Sequence, residues 1–284
     1  MPGMSKSYAR HSRSQRSVAA RVVLPLVARE AKKRPGARVI ELGCGPGTLL
    51  AELRRLGVEA LGTDRDAFTV RLAQRAGFDA RVVDFRRVPA ALRGRFGVVF
   101  ANEALHWTSP APARFVRATW HYRFLPERLA PEFERWGRAR VVEGLRGAAR
   151  TLAPGGIAVL QFGARGQLSE LFAAFERVFA SPRLRRLRGK IWDPVYYPDR
   201  RELPGLAARA GLRIETLRAW SEPLSERGAR ELVASVRAWT ERGFLARLSS
   251  RERATFYTLL RRELDGSGTR RIRWRRCLVV ARVI

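Results

Sequence analysis

Short apolar stretches rich in β-branched residues alternate with amphipathic segments through the first half of the chain. Residues 38–42, 58–64, 78–83, 96–102 and 157–162 read as strands. Between them, 48–56, 67–76 and 131–152 carry a helical period, with Gly77 and Pro154-Gly155-Gly156 as stops. Ahead of the first strand, 8–33 alternates apolar and basic residues at helical spacing and ends at Pro35-Gly36. Strands and helices taking turns predict an α/β fold, a parallel sheet wrapped by right-handed crossovers with helices on both faces. Past Gly163 the rhythm changes. Helices are expected at 168–179, 200–210, 226–242 and 250–265, and strands at 212–219 and 271–284. A basic stretch, 183–190, and an aromatic loop, 192–198, lie between. No internal repeat or low-complexity linker interrupts this order, so residues 1–284 are expected to form a single domain.

Composition narrows the picture. A chain of 284 residues with 46% hydrophobic content can bury a large core. No apolar run approaches the ~20 residues that span a bilayer, and residues 1–21 are Ser- and Arg-rich without an apolar segment, unlike a secretory signal. Two cysteines, Cys44 and Cys277, are too few for a disulfide framework or a zinc site, so no metal is expected and a reducing cytoplasm is the default. The net charge of +30 points toward nucleic acid. Lysine, however, occurs only at 6, 32, 33 and 190, and the arginines are spread over the whole chain. That pattern fits solvated faces better than a binding stripe.

The chemistry begins at Glu41-Leu42-Gly43-Cys44-Gly45-Pro46-Gly47. An apolar strand ends in an acid, and three glycines on alternate positions lead into a helix. Glycine lets the backbone take positive φ and lets a ligand lie on the main chain. Such a turn suits a nucleotide-like cofactor over the carboxyl end of a parallel sheet. The spacing is G-x-G-x-G, not the G-x-G-x-x-G of dinucleotide binders. Asp64 ends the second strand, where a carboxylate can accept from both hydroxyls of a ribose. Asp84 ends the third strand and is followed by Phe85. Each acid could instead cap a helix, and Asp66 competes with Asp64 for that role.

The Glu41–Gly47 motif, with Asp64 and Asp84 behind it, resembles the class I methyltransferases that use S-adenosylmethionine. The segment Asn102-Glu103-Ala104-Leu105-His106-Trp107 is similar to the trans-aconitate and biotin-pathway malonyl-carrier methyltransferases, which act on small molecules. The resemblance implies a Rossmann-like seven-stranded sheet, mostly parallel, with a reversed last strand. It implies S-adenosylmethionine as cofactor, held by Glu41, Gly43, Cys44, Gly45, Gly47, Asp64, Arg65, Asp84, Phe85 and Asn102, with Tyr8 covering it from an N-terminal cap, 1–36. The acid at 41 would orient the turn and the cofactor's amino group, and Asp84 and Phe85 would meet the adenine.

The methyl acceptor is expected near the end of the fourth strand. Trp107, the insertion at 108–136 with Trp120, His121, Tyr122, Phe124 and Trp136, and a second insertion at 164–200 with Trp192, Tyr196 and Tyr197 are the candidates to line its pocket. The 108–136 segment reads equally as a lid or as an extra helix packing its aromatics on the core. A carboxylate acceptor needs no base and would be anchored by arginine. A phenol, amine or carbon acceptor profits from one, and His106 is the histidine next to the cofactor strand. An RNA substrate is the alternative, reached through 183–190 and the basic tail 270–276. Against it, the Asn/Asp-Pro-Pro-aromatic segment of base amino-methylation is absent after strand four. A non-catalytic S-adenosylmethionine-binding protein is a further alternative.

Overall fold

The computed structural model describes residues 17–107, 127–187, 196–224, 226, 228–240, 245, 248–267 and 272–284. The strands are β1 Val39–Leu42, β2 Ala60–Asp64, β3 Ala80–Val82, β4 Phe96–Asn102, β5 Leu152–Gly163, β6 Leu212–Pro223 and β7 Arg273–Val283. They form one sheet in the order β3-β2-β1-β4-β5-β7-β6. The first five pair in parallel, and β7 runs antiparallel to both of its neighbours. The last strand is therefore the reversed one, as the resemblance implies.

Described helices are α1 Leu24–Lys32, α2 Thr48–Arg55, α3 Ala67–Arg75, α4 Ala130–Thr151, α5 Ser169–Ala180, α6 Leu203–Arg209, α7 Ala229–Thr240 and α8 Ser250–Ser267. A π-helical turn, Ala19–Val23, leads without a break into α1, with Pro25 just after the turn. On one face of the sheet, Val98, Phe100, Val159 and Leu278 pack against Leu24 and Val27 of α1 and Leu49 and Leu53 of α2. On the other, Ile40, Val99, Leu160 and Val279 meet Val141, Leu145 and Ala148 of α4 and Leu203 and Leu206 of α6. The central strands are buried on both faces, which is why they read as continuous apolar runs.

Helices α5, α7 and α8 share a core of their own, centred on Phe172, Phe175, Phe179 and Phe256. The Phe256 ring lies 5.2 Å from that of Phe175 and 5.1 Å from that of Phe179. Periodicity finds each helix but not their association, because the aromatic partners lie far apart in the chain.

Two expectations need correction. Strand β6 runs past residue 219, pairing Trp220 with Arg276 and Pro223 with Arg273. Ladder hydrogen bonds hold this polar stretch extended where side-chain pattern does not. Within the expected 108–136 insertion, Glu127–Leu129 is a 3-10 turn and 130–136 opens α4. Phe133 is buried there, and Trp136 packs on the core with its ring 5.4 Å from that of Phe133. Trp136 is a packing residue; residues 108–126 lie outside the described residues. Among the described residues, no helix is long and apolar enough to cross a membrane.

Candidate active site

The strand order reverses direction between β1 and β4, and in open α/β sheets ligands bind in the crevice at such a switch point. The glycine turn sits there. Gly43, Gly45 and Gly47 have φ of 80°, 53° and 83°, the left-handed region. A β-carbon on Gly43 would stand 2.4 Å from that of Ala104, so this position is closed by packing. A β-carbon on Gly45 would meet nothing within 4 Å. The turn is thus pinned from below and open where a ligand would lie.

Asp64 holds that turn. Its Oδ2 accepts from the Gly45 amide at 2.9 Å and its Oδ1 from the Asp66 amide at 2.9 Å. Asp66 caps α3 by accepting from the Phe68 amide at 2.8 Å. The neighbouring acids divide the work: Asp66 is the cap, and Asp64 bridges two strand ends with lone pairs to spare. Arg65 between them is exposed. Glu41 is buried in β1 with its Oε2 unpartnered. Burial, and then the nearby Asp64 charge, push its carboxyl well above the usual range. Burial likewise pushes the Cys44 thiol up, which makes it an inert packing group in the turn.

Asp84 is differently employed. It caps the 3-10 turn Phe85–Arg87 by accepting from the Arg86 amide at 3.0 Å, and it accepts from the Arg86 guanidinium on both oxygens. Burial alone would raise its carboxyl; the Arg86 contacts outweigh that and hold it below the usual range. This turn lies directly on α4, where a β-carbon on Gly147 would fall 1.9 Å from the Phe85 carbonyl oxygen.

A second polar group occupies the carboxyl edge farther along the sheet. Register places Glu41 beside Phe100, Asn102 beside Gln161, Gln161 beside Leu278 and Trp220 beside Arg276. Glu41, Asn102, Gln161 and Arg276 therefore share the face covered by α1 and α2. Glu103, just past β4, has a left-handed φ of 54° although it is not glycine. Its amide donates to the Gln161 carbonyl at 2.8 Å. Its Oε1 accepts from Gln161 Nε2 at 2.9 Å and from Arg276 Nη1. Arg276 is fully buried, lies over the Trp274 ring, and also donates from Nε to Glu222 Oε1 at 2.8 Å. Glu103 Oε2 stands 3.7 Å from His106 Nε2. His106 is buried, and its ring centroid is 5.5 Å from that of Tyr197. Burial lowers its pKa below the ordinary 6.5; the Glu103 charge opposes that and the Arg276 charge adds to it. Asn102 Oδ1, Gln161 Oε1 and Arg276 Nη2 are buried and unpartnered.

Of the residues proposed from sequence, the crevice gathers Glu41, the glycines, Cys44, Asp64, Asn102, His106 and Tyr197. Tyr196 points elsewhere. Its ring packs where α4 has Gly137, and its hydroxyl donates to Glu202 Oε1 at 2.7 Å. Tyr8, His121, Trp120, Tyr122, Trp192 and the side chain of Trp107 lie outside the described residues; the Trp107 backbone closes the 3-10 turn Leu105–Trp107. Within the basic tail Arg275 pairs with Glu170 at 2.7 Å and Arg276 is buried, while Arg273 is exposed; residues 270 and 271 lie outside the described residues. Sequence reasoning missed Glu103, Gln161, Glu222 and Arg276. Glu103 and Gln161 were detectable as polar residues at the ends of otherwise apolar strands; Glu222 and Arg276 carry no such mark.

A family model for a methyltransferase domain matches residues 10–217. The chain belongs to that methyltransferase family. A ubiquinone biosynthesis O-methyltransferase of Bordetella pertussis is 35% identical over 89 residues, 29% of this chain and 36% of that protein. The match thus spans about a third of that relative's length. An uncharacterized methyltransferase of Schizosaccharomyces pombe is 23% identical over 209 residues, 72% of this chain and 67% of the other. Among solved structures, loganic acid methyltransferase with SAH superposes with a TM-score of 0.73 at 14% identity, covering 100% of this chain and 98% of that one. The [4+2]-cyclase SpnF superposes at 0.52 with 16% identity, covering 93% and 82%. At these identities the likeness is one of fold, and a cyclase on the same fold shows how little the fold alone says of the acceptor.

Proposed function

We propose that this methyltransferase moves a methyl group from S-adenosylmethionine to a small-molecule acceptor. The glycine turn supports this most: Gly45 is left open while Asp64 fixes it from the next strand, and the buried Glu41 Oε2 waits without a donor. These groups fit the cofactor's chemistry. Backbone amides of 43–47 would line its methionine part, Glu41 and Asn102 would accept from its ammonium group, and Asp64 would accept from the ribose hydroxyls. With Asp84 engaged by Arg86, Phe85 and nearby backbone are left to meet the adenine. Bound S-adenosylmethionine supplies a methyl group already activated by a positively charged sulfur.

The chain's own tasks are then to align the acceptor, exclude water and manage its proton. Burial keeps His106 neutral near pH 7, the form able to take a proton. The finer resemblance to the trans-aconitate group rests chiefly on the segment 102–107. The test is incubation with methyl-labelled S-adenosylmethionine and fractionated cell extract. Label in the small-molecule pool is the expected result; label confined to RNA or protein would contradict it.

A further inference from the structure

Arg276 is a cation buried completely beside the acceptor edge, and carboxylates engage two of its five N–H donors. A guanidinium grips a carboxylate by presenting two parallel N–H groups, either Nε with Nη2 or Nη1 with Nη2. In this protein Nε donates to Glu222 and Nη1 to Glu103. Nη2 is unpartnered, and with the single Nε hydrogen given to Glu222 the fork that pairs Nε with Nη2 is closed to an incoming carboxylate. The local charges agree. Arg276 stands between the buried Glu103 and the partly exposed Glu222, so its charge is already matched by carboxylates before an acceptor arrives. Glu222 also meets Arg21 at 3.3 Å, but that pair is exposed and screened, and it offsets little.

The same contacts shape the turn after β4. Glu103 occupies a left-handed backbone conformation that costs a non-glycine residue on the order of 1 kcal/mol or more, and its buried carboxylate would be expensive without a partner. Arg276 and Gln161 both bind Glu103 Oε1, which leaves Oε2 on the His106 side. Among the described residues, the charged groups acting on His106 are Glu103 and Arg276, with the Tyr197 ring packed beside it.

We propose that Arg276 is a positioning residue that acts through Glu103 on His106, and that the site it builds takes a neutral hydroxyl acceptor rather than a carboxylate. The proposal rests on the methyl-transfer reading above. In the step it describes, the acceptor O–H bond breaks and the proton passes to the imidazole. The new C–O bond forms as the sulfur–methyl bond breaks, and the sulfur keeps that electron pair as a neutral thioether. Glu103 stabilises the imidazolium while it carries the proton, and the remaining Nη2 of Arg276 suits a single neutral oxygen on the acceptor.

The chemical form of the product separates the possibilities. Methyl-labelled S-adenosylmethionine and the small-molecule extract are incubated with the protein, and the product is treated with mild alkali. A hydroxyl acceptor gives a methyl ether whose label survives; a carboxylate gives an ester that releases volatile labelled methanol. Alkali-stable label on oxygen supports the proposal. Volatile label overturns it while leaving methyl transfer standing. No label in any small-molecule fraction overturns the methyl-transfer reading and the proposal with it.

Arg276 is tested by rate against pH. Arg276→Gln is expected to lower kcat by at least roughly 10-fold and to move the acid limb, with S-adenosylmethionine affinity unchanged and partial rescue in Arg276→Lys. Because Arg276→Gln leaves the buried Glu103 carboxylate without its cation, Arg276→Gln/Glu103→Gln is measured beside it. An unchanged kcat and pH limb in whichever variant folds would overturn the positioning role.

Discussion

The two halves of the carboxyl edge are built by opposite means. At β1 and β2 the site is made mostly of backbone: a glycine turn, two amide bonds to Asp64 and a cap from Asp66. At β4, β5, β6 and β7 it is made of side chains, with Glu103, Gln161, Glu222 and Arg276 binding one another across large separations in sequence. The first half depends little on side-chain identity, because backbone amides form it, whereas the second half depends on each of its charges.

That division can be broken from either side. The largest effect is expected at His106: His106→Asn should lower turnover by on the order of 10²- to 10⁴-fold while S-adenosylmethionine affinity holds, read by single-turnover label transfer and calorimetry. An equal loss of cofactor affinity would erase the boundary between the halves. Next comes stability. Arg276→Met leaves Glu103 buried without its cation and should cost about 3–5 kcal/mol, whereas Arg276→Met/Glu103→Leu should recover much of that in urea unfolding. Asp66→Ala should cost only ~1 kcal/mol through the lost α3 cap and leave catalysis intact, which separates it from its neighbour Asp64.

Acid sharpens the same contrast. His106 is held below its ordinary 6.5, chiefly by burial. Below pH 6.5 the unfolded chain therefore binds a proton that the folded chain resists, so this residue's contribution to stability declines as pH falls through that window. Turnover should be full at neutral pH with its acid limb below 6.5. A limb above 6.5 would mean that Glu103, not burial, governs the imidazole.

How legible the molecule was follows the same line. Strands β1, β2, β4 and the later part of β5 announced themselves because both faces are buried, and the glycine turn because its chemistry is written in adjacent positions. The seven strands and the reversed β7 agree with the resemblance. Pattern alone could not show that Trp136 joins the core or that Tyr196 turns toward Glu202. Both depend on partners from distant segments. Arg276 is the clearest case. It looks like one more cation in a basic tail, and only the pairing of β7 with β5 and β6 carries it inside to meet Glu103 and Glu222. Buried ion pairs between distant residues leave no local trace in sequence.

The central claim is that the glycine turn with Asp64 binds S-adenosylmethionine independently of the charged acceptor group. Calorimetric titration of S-adenosylmethionine into the wild type, Asp64→Ala and Glu103→Gln tests it most directly. The account predicts one site in the wild type, a loss of roughly 100-fold or more in Asp64→Ala from two charge-assisted contacts at about 1.5–3 kcal/mol each, and an unchanged constant in Glu103→Gln. No binding to the wild type, or equal affinity in the wild type and Asp64→Ala, would contradict it.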